Sequence, residues 1–235
     1  MRKALLALLI VVAIGLVVAD RVGVRIAQDR IAQQVAAQYD LPQEPDVTIH
    51  GIPFLTQVVG GEYDHITVDI GDWTEQGVTV SDVTVDMSGL NAPLSDVING
   101  DTTNMTAGTA AASAIIPYDV IKKQAPKEVE SIGPKGNDLA VGMTGSLLGV
   151  KVNGTAVVSV KPTSKGIAIT PESVGEGAAQ LPLTLVRQQL TWTVPVRDLP
   201  IGARISGIQP TAGGLKVTAT AHDVNLNDLQ QQQQK

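Results

Sequence analysis

Ile66-Thr67-Val68-Asp69-Ile70, and then Val78-Thr79-Val80-Ser81-Asp82-Val83-Thr84-Val85-Asp86-Met87, carry apolar side chains in strict or near-strict alternation with Thr, Ser and Asp. Successive side chains of a strand point to opposite faces, so this period of two puts Ile66, Val68 and Ile70 on one face and their polar neighbours on the other. Working outward, residues 139–143, 150–161, 166–170, 190–196, 203–209 and 215–226 read as further strands. Asn153-Gly154, Lys165-Gly166 and Gly213-Gly214 mark turns where glycine supplies positive φ. The expected fold is α+β, with a long, curved, mainly antiparallel sheet packed around an N-terminal helix.

That helix is expected over residues 20–39. Asp20 can cap it, and Ala27, Ile31, Val35 and Tyr39 recur every four residues, while Gln28, Asp29, Arg30, Gln33 and Gln34 fill the other faces. Pro42 and Pro45 stop it, because proline lacks the amide donor and restricts the residue before it. Two shorter helices are expected at residues 92–99, closed by Gly100, and at residues 117–127, where Pro117 opens the first turn.

Residues 1–3 are a short positive segment, and residues 4–19 are an unbroken run of Ala, Leu, Ile, Val and Gly. As a helix this run covers about 24 Å, short of the ~30 Å hydrocarbon core of a bilayer. It resembles the apolar region of a signal peptide, with Val17-Val18-Ala19 as the cleavage site. An uncleaved anchor is the alternative, since tilt and bilayer thinning accommodate a short span. Both readings leave Arg2 and Lys3 in the cytoplasm and everything after Asp20 outside, at the extracytoplasmic face of the cytoplasmic membrane. The division is then residues 1–19 as signal peptide or anchor, residues 20–229 as a single domain, and residues 230–235 as a disordered Gln-rich tail.

Of the 235 residues, 43% are hydrophobic and 17% charged, enough apolar content for a sizeable core. Aromatics are only 3%, so that core is aliphatic. The net charge of -6 leaves no basic footprint for nucleic acid and argues that any contact with a membrane surface is local or hydrophobic. The chain has no cysteine, which removes disulfides, thiolate metal sites, a cysteine nucleophile and a lipid-modified cysteine together.

Three further features carry a family resemblance. They are His50-Gly51-Ile52-Pro53-Phe54-Leu55-Thr56-Gln57 leading into the strand at 66–70, residues 83–94 running into a short helix, and a closing segment. The closing segment reads Leu199-Pro200-Ile201-Gly202-Ala203-Arg204-Ile205, then Gly213-Gly214-Leu215-Lys216-Val217, then Val224-Asn225-Leu226. In this order and spacing the chain resembles the LmeA-like phospholipid-binding proteins of actinobacterial envelopes. The resemblance implies a tubular, exported lipid-binding domain with a role in envelope glycolipid assembly, such as mannan elongation on lipomannan, and it brings no catalytic residues with it.

A phospholipid site needs an apolar slot bounded by a few polar groups. The expected slot lies between the 20–39 helix and the concave sheet, with Ile52, Phe54, Leu55, Val58 and Val59 near its mouth, beside the glycine pair Gly60-Gly61. The plainer reading makes these five core or loop-anchoring residues. Lys122, Lys123 and Lys127 could hold a phosphate headgroup, or could simply favour a helix C-terminus and solvent. Trp73 and Trp192 are candidate interfacial rings, or packing.

An enzyme is the weakest reading. His50, His65 and His222 are isolated in sequence, no metal-ligand spacing or nucleophile motif occurs, and Asp69 with Asp72 or Asp82 with Asp86 fit a solvated strand face better than a glycosidase pair. No cofactor and no metal are expected. A non-enzymatic scaffold or adaptor of an envelope complex is the main alternative to lipid binding; phospholipid, a membrane surface and envelope glycolipid machinery are the expected partners.

Overall fold

The computed structural model describes residues 2–75, 77–93, 95–96, 103–147, 150–175, 182–196, 199 and 202–228. In chain order the helices are α1 (Arg2–Gln38), α2 (Phe54–Gly60), α3 (Tyr118–Lys123) and α4 (Leu183–Leu190). The strands are β1 (Asp46–His50), β2 (Glu62–Glu75), β3 (Val78–Asn91), β4 (Thr106–Pro117), β5 (Val129–Lys135), β6 (Asp138–Leu147), β7 (Val150–Thr163), β8 (Gly166–Val174), β9 (Trp192–Pro195), β10 (Arg204–Pro210) and β11 (Gly214–Asn225). This is the α+β class expected from the alternation. The strands form two sheets, in the orders β1-β2-β3-β4-β11-β10 and β5-β6-β7-β8-β9, one of them a curled half-barrel. By contacts, the chain divides into one compact unit of residues 1–71, 84–111 and 221–235 and a second of residues 72–83 and 112–220.

In the first unit, α1 is one unbroken helix of 37 residues. The expected boundary at Asp20 is not there, because residues 17–20 contain no glycine or proline to break the helix, and Asp20 serves another element. Its inner stripe runs through Asp20, Val24 and Ala32, with Ala27, Ile31 and Val35 half-buried as their spacing predicts; Tyr39 is exposed. The helix closes with the Leu41 amide donating to Ala36 O while Asp40 takes a positive φ of 50°, a Schellman-type end that Pro42 follows. α1 packs on β1 and α2. β1 was not expected; its Val47 and Ile49 lie opposite Val68 and Ile66 in an antiparallel pair with β2.

In the second unit, β5 to β9 form an antiparallel meander. Leu139, Val141, Val158, Ile167 and Ile169 line its apolar face and are fully buried against Ile121 of α3, Val186 and Leu190 of α4, and Leu215 and Val217 of β11. Asn153-Gly154 is not a turn: it lies inside β7, paired with Thr144 and Met143 of β6. The ladder with β6 overrides the local turn chemistry. α3 is six residues rather than eleven, since the Gln124 and Ala125 amides already turn back to Ile121 and Lys122 ahead of Pro126.

The residue 190–196 strand shortens to β9 because Leu190 ends α4, itself unexpected. β4, reading Thr-Ala-Gly-Thr-Ala-Ala-Ala-Ser-Ala-Ile-Ile-Pro, has little alternation, yet it is held as an interior strand between β3 and β11. Of the helix expected at 92–99, Ser95 and Asp96 are helical and Ala92 and Pro93 are not; its remainder, like the Gln-rich tail, lies outside the described residues.

Candidate lipid-contacting site

The first unit holds the apolar segment singled out from sequence. α2 begins after Pro53, which has no side chain able to cap the exposed amides of the first turn, and no cap from its own segment is made. Asp20 of α1 supplies one instead: its Oδ1 accepts the Leu55 amide at 2.8 Å, and its other oxygen pairs with Arg21. The Arg21 guanidinium first, and then the Leu55 amide, hold the Asp20 carboxyl below the usual carboxylate range; desolvation opposes them and is smaller. At the far end Gly61 closes α2 with φ 69°, a conformation glycine adopts without Cβ strain.

This seating divides the five apolar residues. Phe54 is buried at 5% exposure; its ring lies 6.4 Å from that of Tyr63 and beside Gly23 of α1. It anchors α2 to α1 and β2 and is not at an open mouth. Burial there also pushes the Tyr63 phenol up. Ile52 and Val59 stand out at 80% and 82% exposure, Leu55 at 36%, and Val58 is half-buried. Leu55 and Val59 follow helical spacing and share the outward face of α2, while Ile52 is exposed just ahead of it, before Pro53.

The sheet beneath has two distinct faces. On the outer one, Thr67 Oγ1 donates to Asp86 Oδ1 at 2.9 Å, Thr84 donates to Asp69 at 2.8 Å, and His65 Nδ1 lies 2.9 Å from Ser88 Oγ. The residues between these, Ile66, Val68 and Ile70 on β2 and Val85 and Met87 on β3, therefore line the inner face. Ile66 and Val68 are buried, whereas Ile70, Val85 and Met87 are only half-buried. The inner apolar face is thus incompletely covered at Ile70, Val85 and Met87, whereas Leu139, Val141, Val158, Ile167 and Ile169 of the meander are fully buried.

The outer face gathers a cluster that sequence reading missed. His50 and His65 have ring centroids 4.8 Å apart, and His65 Nε2 lies 3.2 Å from Asp86 Oδ1. His65, Asp86 and Ser88 have the membership of a hydrolytic relay. Ser88 stands on β3, an interior strand between β2 and β4. The histidines are isolated in sequence and meet only through strand register, which is why spacing did not reveal them.

Lys122 and Lys123 occupy the last turn of α3 and Lys127 follows it, all three exposed and all in the second unit, whereas α2 belongs to the first. Their position at a helix C-terminus accounts for them electrostatically. Trp192 is packed in the meander core, so it is not an interfacial ring; Trp73 is half-buried. Among the described residues no group of His, Cys, Asp or Glu is arranged to hold a metal ion.

The model of the LmeA-like phospholipid-binding family matches residues 18–220. The chain belongs to that family. No curated protein and no solved structure matches it. The LmeA-like region begins at the end of the apolar run of α1, so Asp20, α2, the half-covered inner face and the whole meander fall within it. Membership of a phospholipid-binding family supports a role in binding lipid and points away from catalysis. It also bears out the resemblance carried by the segments around His50–Gln57, residues 83–94 and the closing strands.

Proposed function

We propose that this LmeA-like chain is an exported, non-enzymatic phospholipid-binding protein. It works on the outer side of the cytoplasmic membrane in the assembly or maintenance of envelope lipids or of a lipomannan-like glycolipid. The observation that carries the reading is the half-covered inner face of the first unit, where Ile70, Val85 and Met87 offer aliphatic surface on the same sheet as the buried Ile66, Val68 and Val83. Acyl methylenes laid there gain about 0.8 kcal/mol each, so half of a sixteen-carbon chain contributes roughly 6 kcal/mol before ordering costs. No cofactor is needed for that chemistry. The N-terminal run, compatible with a signal peptide or an anchor, supports export.

The exposed stripe of Ile52, Leu55 and Val59 also suits a scaffold, which would cover it with another protein. Native mass spectrometry of the full-length chain released from detergent micelles separates the two. One phospholipid mass per chain, lost when Met87→Trp fills the inner face at unchanged thermal stability, is the expected result. A lipid-free wild-type mass overturns the lipid reading in favour of the scaffold.

A further inference from the structure

We infer that α2 is a membrane-seating foot: Ile52, Leu55 and Val59 enter the boundary between headgroups and acyl chains of the same bilayer that the apolar residues 4–19 of α1 cross. The inference rests on the exported reading above with residues 4–19 retained as the anchor, and it adds the depth and the residues of the contact.

The depth follows from one hydrogen bond. The apolar run of α1 ends at Ala19, and the Leu55 amide is fixed to Asp20, the next residue. A Cβ placed on Gly23 would lie 3.7 Å from both Leu55 and Phe54, so α2 runs beside residues 20–23 of α1. At about 1.5 Å of rise per residue, this places α2 within roughly 6 Å of the end of the apolar run, the layer in which interfacial helices bury their apolar faces.

Lipid is the occupant the chemistry selects. Residues 54–60, Phe-Leu-Thr-Gln-Val-Val-Gly, carry no charge, and α1 is itself apolar and exposed at this level, at Val17, Val18 and Val22. Arg25 is exposed one turn further along and lies at the level where guanidinium groups meet lipid phosphates. Glu62 and Asp64, exposed at the start of β2, and the net charge of -6 make adhesion by electrostatics alone unfavourable, so the contact is apolar and weakly sensitive to salt.

The absence of native cysteine allows single labels. Ile52→Cys, Val59→Cys and, as a control in a turn of the second unit, Lys165→Cys are each coupled to an environment-sensitive fluorophore in the full-length chain, reconstituted in phosphatidylcholine nanodiscs. Circular dichroism checks that each variant is folded. The expected result is blue-shifted emission at Ile52 and Val59, with most of the intensity lost to a nitroxide placed high on the acyl chain. A nitroxide near the chain end should quench less, and Lys165 should stay aqueous. Aqueous emission at Ile52 and Val59, or shielded emission that lipid nitroxides do not quench, overturns the foot; the second outcome would mean a protein partner covers it. Bound phospholipid is measured on the same samples by native mass spectrometry. Retained phospholipid with aqueous probes removes the foot alone, and quenched probes without retained phospholipid remove the cargo reading alone.

Discussion

Asp20 of α1 caps α2: its Oδ1 accepts the Leu55 amide at 2.8 Å across 35 residues of chain. The helix that follows Pro53 has no cap of its own, so the position of its apolar stripe depends on a carboxylate supplied by another helix. Because Arg21 and the Leu55 amide favour the ionised form, the folded-state pKa of Asp20 lies below its unfolded value of about 3.9. The resulting stabilisation is fully present above the unfolded value and is lost as pH falls through the folded one. Asp20→Asn should therefore lower the melting temperature at neutral pH, and the gap from wild type should close in acid. Melting curves followed by circular dichroism from pH 7 to pH 2 test this, and a gap that widens on acidification would contradict it.

Phe54 and its exposed neighbours should separate cleanly. Phe54→Ala empties the contact with Tyr63 and Gly23 and should cost about 3–5 kcal/mol of stability, as buried aromatic truncations do. Ile52→Ser and Val59→Ser, at highly exposed positions, should change it by no more than about 0.5 kcal/mol. Urea titration measures all three, and equal losses would mean that α2 is not seated as described.

Gly166 is the residue whose missing side chain matters most in the meander. Its φ is 133°, and a Cβ there would fall 2.2 Å from the backbone oxygen of Val194 on the neighbouring β9. Gly166→Ala should destabilise the protein by more than about 1 kcal/mol, whereas the open positive-φ Gly136, with nothing near its Cβ site, should tolerate alanine with only the local backbone penalty. Comparable melting temperatures for the two variants would refute the close approach.

Arg187 ties α4 to β8: its Nε donates to Pro171 O at 2.7 Å, and its Nη2 lies 3.3 Å from Glu172 Oε2. Both side chains are substantially exposed, so the ion pair itself is weak and the bond to the carbonyl is the larger part. Arg187→Ala should cost about 1 kcal/mol, and Glu172→Gln distinctly less. A double-mutant cycle in urea gives the coupling, expected to be a minority of the arginine effect.

By itself the sequence determined the strands with clear alternation, β2, β3, β6, β8 and β11, together with the half-buried stripe of α1 and the family, because these depend on which face of a local element is apolar or on an ordered set of segments. Local chemistry could not settle β4, whose alanine-rich run becomes a strand only between two partners, nor Asn153-Gly154, whose turn tendency yields to the ladder with β6. Only the tertiary structure decided what Asp20 does and which of the five apolar residues face outward. A capping carboxylate 35 residues away, and a helix rotated by one buried ring, are contacts between elements, and no period along the chain encodes them. The meeting of His50, His65 and Asp86 has the same origin, since strand register brings together side chains that spacing keeps apart.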